Sequence, residues 1–168
     1  MINLGILNIY TGPNNPYIFK RTAVRGIIKR EEKFLFVESM KYHDVKFPGG
    51  GLEKNESQIE ALEREIREET GYELILESVK EYAWIKEYRN VQEENSMLDM
   101  TNYYYVCEVG TLKDRALDDY EQEYDYQVVF LTLDEAIEKN EGVLKEKMTP
   151  WVKRELTVLK YIKKEGIL

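Results

Sequence analysis

Residues 47–74 constrain the fold more than any other part of the chain. They read FPGGGLEKNESQIEALEREIREETGYEL, a glycine-rich loop followed by a stretch dense in carboxylates. Ser57 and Glu60 have the spacing of a capping box, in which each side chain bonds to a free backbone N–H of the first helical turn. Gly71 stands where a helix commonly ends in a left-handed residue. The segment therefore predicts a helix from Ser57 to Thr70.

The two sides of this helix differ in chemistry. Apolar residues at helical spacing form a stripe that would dock on a sheet: Ile59, Leu62 and Ile66. Three carboxylates fall within one turn on the neighbouring side: Glu65, Glu68 and Glu69. Such crowding costs a few tenths of a kcal/mol per like-charged pair, but converging hard oxygens are what Mg²⁺ binds. A solvated charged helix is the alternative interpretation of the glutamates taken alone.

Weaker patterns predict the strands. Runs rich in β-branched and aromatic residues occupy six further stretches: Ile2 to Tyr10, Thr22 to Lys29, Phe34 to Glu38, Leu74 to Tyr88, Thr101 to Val109 and Gln127 to Leu131. The polar residues 30–32, between the second and third runs, suggest a hairpin.

Two more helices are expected near the C-terminus. Thr132 with Glu135 repeats the capping-box spacing and opens a short helix to about Glu138. Thr149 caps a last helix with Pro150 at its first position. This order of elements predicts an α/β sandwich, with helices on both sides of a mixed sheet, in one domain spanning residues 1–168.

Composition excludes several classes of function. A net charge of -8 argues against a nucleic-acid partner, because such binding needs a basic surface. The single cysteine and single histidine exclude a disulfide framework and the common zinc motifs. No apolar run has membrane-spanning length and no signal-peptide pattern opens the chain. We expect a cytoplasmic protein without membrane partners, either a monomer or a homodimer.

The acidic segment resembles the Nudix box, the motif G-x5-E-x7-R-E-U-x-E-E-x-G-U of the Nudix hydrolase (MutT-like) family, where U is a bulky aliphatic residue. The matching residues are Gly50, Glu56, Arg64, Glu65, Ile66, Glu68, Glu69 and Gly71. The final position of the motif, usually aliphatic, is Tyr72 in this chain. This difference concerns local packing and not the chemistry of the box. The resemblance implies a Nudix-like α/β/α sandwich and a hydrolase that cleaves a diphosphate linkage in a nucleoside diphosphate derivative.

The resemblance also implies roles for individual residues. Glu65 and Glu69 would be the main ligands of Mg²⁺, with Mn²⁺ as an alternative ion, and Glu68 would be a further ligand or would order a metal-bound water. Glu56 and Arg64 would brace the loop and the helix for catalysis.

Many family members use one more carboxylate from beyond the box, as a ligand or a general base. Glu121 and Glu123 are candidates, and an exposed acidic loop is an equally good interpretation of them.

The substrate is less clearly encoded. Arg25 and Lys46 could contact phosphates, although both could be surface charges. We expect a small-molecule nucleotide, a nucleoside triphosphate in ordinary or oxidised form, cleaved to monophosphate and pyrophosphate. Dinucleoside polyphosphates are the alternative, since Tyr88 lies where hydrolases of that class tend to carry a tyrosine. Aromatic residues that could stack on a base are Tyr82, Trp84, Tyr88 and Tyr103 to Tyr105.

A different class of function is a Nudix domain that senses nucleotides or binds partners without catalysis. Such domains typically lose carboxylates of the box, whereas this chain retains them all. An isomerase related to this family would need a catalytic cysteine. Cys107 lies in the apolar run YYYVCEV, where a buried structural thiol is expected.

Overall fold

A computed structural model describes residues 1–112, 126–146 and 149–167. The strands are β1 (Ile2–Asn8), β2 (Tyr17–Ile27), β3 (Lys29–Arg30), β4 (Lys33–Ser39), β5 (Val45–Lys46), β6 (Tyr72–Leu74), β7 (Lys80–Asn90), β8 (Ser96–Val106), β9 (Val109–Leu112) and β10 (Tyr126–Leu131). The α-helices are α1 (Gln58–Thr70), α2 (Leu133–Glu146) and α3 (Pro150–Glu165), and a short 3-10 helix spans Leu76–Ser78.

The main sheet is mixed, as predicted. Its strand order is β1-β7-β8-β2, with parallel pairs β1–β7 and β2–β8 around an antiparallel β7–β8 pair. A second sheet joins β10, β4 and β3, and β5 pairs with β4. The predicted hairpin is confirmed by the antiparallel pairing of β3 with β4 around Glu31 and Glu32.

Helices cover both faces of these sheets, which confirms the predicted sandwich. Leu35 of β4 packs with Leu62 and Ile66 of α1 in one core cluster. The neighbouring Phe36 packs with Leu159 of α3 in another. Because successive strand residues point to opposite faces, the two helices lie on opposite sides. Among the described residues, no helix is long and apolar enough to cross a membrane.

Helix α1 forms as predicted in its caps but not in all of its packing. Both capping-box hydrogen bonds between Ser57 and Glu60 are present. Gly71 ends the helix in the left-handed conformation, with φ 75°. The expected apolar stripe is wrong at one position, since Ile59 is 37% exposed and Ala61 is buried in its place. Ile59 lies in the first turn of the helix.

Other boundaries differ from the prediction. The strand expected from Leu74 to Tyr88 is broken by the 3-10 helix, in which the Ser78 hydroxyl donates to the Ile75 carbonyl at 2.6 Å. Helix α2 continues past Glu138 to Glu146, because Asn140 is buried and binds the backbone of Val45 with both amide atoms.

The last helix begins at Pro150 as predicted, but the Thr149 side chain makes no capping hydrogen bond. The buried, unpartnered Thr149 hydroxyl shows that the sequence pattern of a cap does not guarantee its geometry. Cys107 is buried and free, as expected, and burial raises the pKa of its thiol to about 12.

Candidate active site

The glycine loop, residues 48–51, runs alongside β2 and is joined to it by backbone hydrogen bonds. Val24 N donates to Gly50 O at 2.9 Å, and Gly26 N donates to Pro48 O at 2.8 Å. Gly49 has φ 138°, and a Cβ there would collide with the Val24 carbonyl. A Cβ at Gly50 would collide with the Glu65 carboxylate. The glycines therefore let the backbone pass between β2 and helix α1, close to the carboxylates.

Arg64 organises the acidic face of α1. Its Nε and Nη2 atoms donate to both oxygens of Glu56 at 2.8 and 2.9 Å, and Nη2 also donates to Gly51 O at 3.0 Å. Nη1 donates to Glu65 at 2.8 Å and to Glu68 at 3.1 Å. The hydrogen bond from Arg64 lowers the pKa of Glu56, and hydrogen bonding to Glu56 is the main cause that raises the pKa of Arg64. Loop and helix are thus joined by one guanidinium group.

Glu69 is fully buried and fully hydrogen-bonded. Its Oε1 accepts from Lys46 Nζ at 2.7 Å, and its Oε2 accepts from Gly49 N at 2.7 Å. Burial raises the pKa of this carboxyl, but the charges of Lys46 and Arg25 and the two hydrogen bonds outweigh burial and leave the pKa lowered. Glu69 is therefore ionised, and Lys46 supplies the adjacent positive charge.

Glu65 has a different electrostatic environment. Burial is the main cause that raises the pKa of its carboxyl, and the nearby charge of Glu69 adds to it. The guanidinium groups of Arg64 and Arg25 only partly offset both effects. The pKa values of these two neighbouring carboxyl groups are thus shifted in opposite directions, because Glu69 has a lysine and a backbone N–H as direct partners and Glu65 does not.

A cavity of about 360 Å³ opens over these carboxylates. Two box carboxylates line it, Glu65 and Glu69. Its cationic lining residues are Arg21, Arg25, Lys46, Arg89 and Arg154. Two aromatic residues contribute, Tyr126 and Trp151. The cavity therefore combines carboxylates, an excess of cations and flat apolar surface.

Arg25 is buried at the wall of this cavity. Its Nη1 donates to Gly49 O, and its Nε has no hydrogen-bond partner. No carboxylate of the described ranges lies within ion-pairing distance of Arg25 or Arg21. Buried donors are normally satisfied, and the Nε of Arg25 is one of the few buried donors of the described residues without a partner.

A buried ion network lies beneath the cavity. Arg154 of α3 donates to Glu87 at 3.1 Å and to Glu155 at 2.9 Å, and all three side chains are buried. Glu155 also accepts from Phe47 N at 3.4 Å and from the Tyr104 hydroxyl at 3.1 Å. Helix α3 is thereby tied to the start of the glycine loop.

The structure brings together most of the candidates from the sequence. Glu65, Glu69, Arg25 and Lys46 line the cavity. Glu56, Glu68 and Arg64 lie beside it in the guanidinium cluster.

Tyr88 does not line the cavity. It alternates along β7 with Glu87 and Arg89, so that its ring faces the other side of the sheet, near Lys86. The other stacking candidates, Tyr82, Trp84 and Tyr103 to Tyr105, are also absent from the lining. Glu121 and Glu123 lie outside the described residues.

Sequence reasoning missed Trp151, Tyr126, Arg21, Arg89 and Arg154. Trp151 is held by a hydrogen bond from Nε1 to Asp44 at 2.9 Å. Burial is the main cause that raises the pKa of Asp44. Nothing in the local pattern marked these residues, because the cavity forms between elements that are distant in sequence.

The carboxylates suit a hard divalent cation in their chemistry but are paired within the chain. Across residues 1–112, 126–146 and 149–167, no group of three or more His, Cys, Asp or Glu side chains is arranged to hold a metal ion. Mg²⁺ commonly takes only one or two carboxylates and completes its shell with water and substrate phosphate. Glu65 and Glu69, which share the cavity, fit that requirement.

The fold and the site define a mixed α/β protein with a carboxylate-bearing helix beside a cationic cavity. The NUDIX domain model matches residues 19–152. A NUDIX hydrolase from Nitrosomonas europaea has a similar structure, with a TM-score of 0.58, 22% identity, and coverage of 88% of this chain and 91% of that chain. No curated protein sequence matches significantly.

The solution structure of the E. coli ORF135 protein is also similar over 71% of this chain and 78% of that chain, with 25% identity and a TM-score of 0.45. The domain match covers most of the chain, and the chain therefore belongs to the Nudix family. Members of this family cleave nucleoside diphosphate-linked substrates.

Proposed function

We propose that the protein is a Mg²⁺-dependent pyrophosphohydrolase that cleaves nucleoside triphosphates, ordinary or oxidised, to monophosphate and pyrophosphate. The observation that carries the proposal is the cavity, in which Glu65 and Glu69 lie beside Arg21 and Arg25, two cations that have no carboxylate partner among the described residues. A triphosphate substrate needs both groups of residues. The cations would offset its negative charges, and the two carboxylates would hold the metal ion that assists attack at a phosphorus. Water forms the new P–O bond, and the bridging P–O bond to pyrophosphate breaks.

Glu65 and Glu69 would hold the metal, with Glu68 as a further ligand once Arg64 releases it. A bound Mg²⁺ or Mn²⁺ neutralises charge on the phosphates and lowers the pKa of a coordinated water. Arg64 and Glu56 keep the loop and the helix in register through their paired hydrogen bonds. Arg64 is therefore a positioning residue in this scheme.

Arg21 and Arg25 would bind the phosphates. They are four residues apart in β2. Because alternate strand residues share a face, both side chains lie on the same face of the strand, and both guanidinium groups reach the cavity. The guanidinium group of Arg25 has no carboxylate partner among the described residues and would donate charge-assisted hydrogen bonds to phosphate oxygens. Trp151, oriented by Asp44, offers a flat surface on which a nucleobase can stack.

A panel of nucleotides tests this proposal. Wild-type protein with Mg²⁺ or Mn²⁺ is expected to release monophosphate and pyrophosphate from one or more nucleoside triphosphates, measured by ion-exchange chromatography. Glu69→Gln should lose at least about a hundredfold in rate, because it removes a charged metal ligand. Glu63→Gln, the same change on the exposed face of α1, is the matched control and should retain wild-type activity.

Other outcomes separate the alternatives. Preferential cleavage of dinucleoside polyphosphates would support the second substrate class, although Tyr88 lies away from the cavity. Binding of nucleotides without release of any product across the panel would replace the hydrolase with a nucleotide-sensing domain. Full activity in a folded Glu69→Gln variant would contradict the metal-site assignment.

A further inference from the structure

The ammonium group of Lys46 lies beside Glu69, at the carboxylate to which the metal ion of the proposed function would bind. Its Nζ lies 2.7 Å from Glu69 Oε1, and both side chains are largely buried, with exposures of 12% and 1%. The second oxygen of Glu69 accepts from Gly49 N. Both oxygens of the carboxylate are therefore already engaged by groups of the chain.

A divalent cation cannot coordinate Glu69 while the ammonium group stays in this position. Mg²⁺ approaches a carboxylate oxygen at about 2.1 Å, which would leave it in repulsive contact with an ammonium group bonded to the same oxygen. The N–H of Gly49 belongs to a loop that is hydrogen-bonded to β2 and cannot move away easily. Lys46 is the group that must move.

Lys46 can move without disturbing the fold. Its backbone is held in β5, where it pairs with Val37 of β4. Its side chain has four rotatable methylenes, so the ammonium group can shift by several ångströms. It lies over the Tyr126 ring, 4.4 Å from the centroid, at the wall of the cavity. A phosphate bound in the cavity would offer it a new negative partner.

We propose that Lys46 is a positioning residue that couples nucleotide binding to metal binding. Without nucleotide, the ammonium group neutralises Glu69 and competes with the metal. When a polyphosphate enters the cavity, the ammonium group binds phosphate and leaves Glu69 to the cation. This inference rests on the proposed function, since it requires both a metal and a phosphate ligand in the cavity.

Mn²⁺ binding measured by electron paramagnetic resonance tests the coupling, with α,β-methylene-ATP as the nucleotide and a protein-free blank to correct for the Mn²⁺ that the nucleotide binds. In wild-type protein, the analogue should tighten Mn²⁺ binding about tenfold or more, within the usual range of coupling between two sites. Lys46→Met should bind Mn²⁺ at least about fivefold more tightly without nucleotide, and the analogue should then change the affinity less than about twofold.

Two further variants control for a general change in net charge and for loss of folding. Lys80→Met removes one positive charge from an exposed strand position and should behave as wild type. Lys46→Arg keeps the charge and should keep most of the coupling, even if Lys46→Met folds poorly because Glu69 is left uncompensated. Equal coupling in wild-type and Lys46→Met protein would overturn the role of Lys46 alone. Failure of wild-type protein to bind Mn²⁺ even with the analogue would overturn the proposed function itself.

Discussion

At the scale of single residues, the site depends on close approach between the glycine loop and the carboxylates of α1. Gly50 is the sharpest case, because its Cα faces the carboxylate of Glu65 with no room for a side chain. The motif requires glycine here for space, since the left-handed φ in this loop belongs to Gly49. A residue that looks like flexible loop in the sequence is therefore part of the wall of the acidic site.

Gly50→Ala is expected to displace the Glu65 carboxylate. The added methyl group should lower the free energy of unfolding by about 1–3 kcal/mol, as overpacking commonly does. It should also weaken Mn²⁺ binding and slow nucleotide hydrolysis at least about tenfold. Denaturant titration, Mn²⁺ titration and the hydrolysis assay measure these effects.

Gly142→Ala is the matched control for this change. Gly142 lies inside α2, and a Cβ there meets nothing within 4 Å. That variant should be more stable by about 0.5–1 kcal/mol, because glycine is costly within a helix. Undiminished Mn²⁺ binding by Gly50→Ala would show that Glu65 has no part in the metal site.

At the scale of elements, α3 does more than cover the sheet. Its apolar face packs in the core through Val158, Leu159 and Ile162. Its first two turns supply Trp151 and Arg154 to the cavity, and Glu155 binds the backbone of the glycine loop. The helix therefore fixes the start of the loop from the side opposite α1.

Arg154→Met tests this connection. The variant leaves Glu87 and Glu155 buried with less positive charge nearby, and breaking a buried pair in this way commonly costs about 3–5 kcal/mol. Urea titration should show a loss of that size. Lys153→Met, one residue earlier, should change stability by less than about 0.5 kcal/mol. A loss for Arg154→Met as small as that of the control would show that the network contributes little.

At the scale of the whole molecule, charge is divided unevenly. The chain carries a net charge of -8, yet five cationic side chains line the cavity. A net negative charge disfavours binding of polyanions such as nucleic acid, whereas the cationic lining of the cavity suits the small anion of the proposed function. Each box carboxylate is ion-paired within the chain, Glu69 with Lys46 and the other three with Arg64. Folding should therefore not depend on a metal.

Removal of metal tests this independence. Protein treated with EDTA should unfold within about 3 °C of untreated protein in calorimetry, unlike domains whose folding requires a structural metal. Addition of Mg²⁺ at ten times its Kd should stabilise the fold by about 1.4 kcal/mol through binding to the native state. Unfolding on chelation would mean that Lys46 and Arg64 do not compensate the carboxylates.

Local sequence alone determined helix α1, its caps and the identity of the box. Capping and helical periodicity depend on residues three or four positions apart, so Ser57, Glu60 and Gly71 could be interpreted without the fold. The mixed sandwich followed from the order of the elements. Local patterns failed where packing decided, as in the break after Leu74 and the extension of α2 by Asn140.

Only the tertiary structure decided what surrounds the carboxylates. Lys46 and Glu69 are 23 positions apart, and Phe47 and Glu155 are 108 apart. No spacing rule connects such pairs, because their contact depends on how β2, β5, β7 and α3 meet around one cavity. The sequence contained the acidic helix as a local pattern, but the cations and the tryptophan that complete the site came together only through long-range packing.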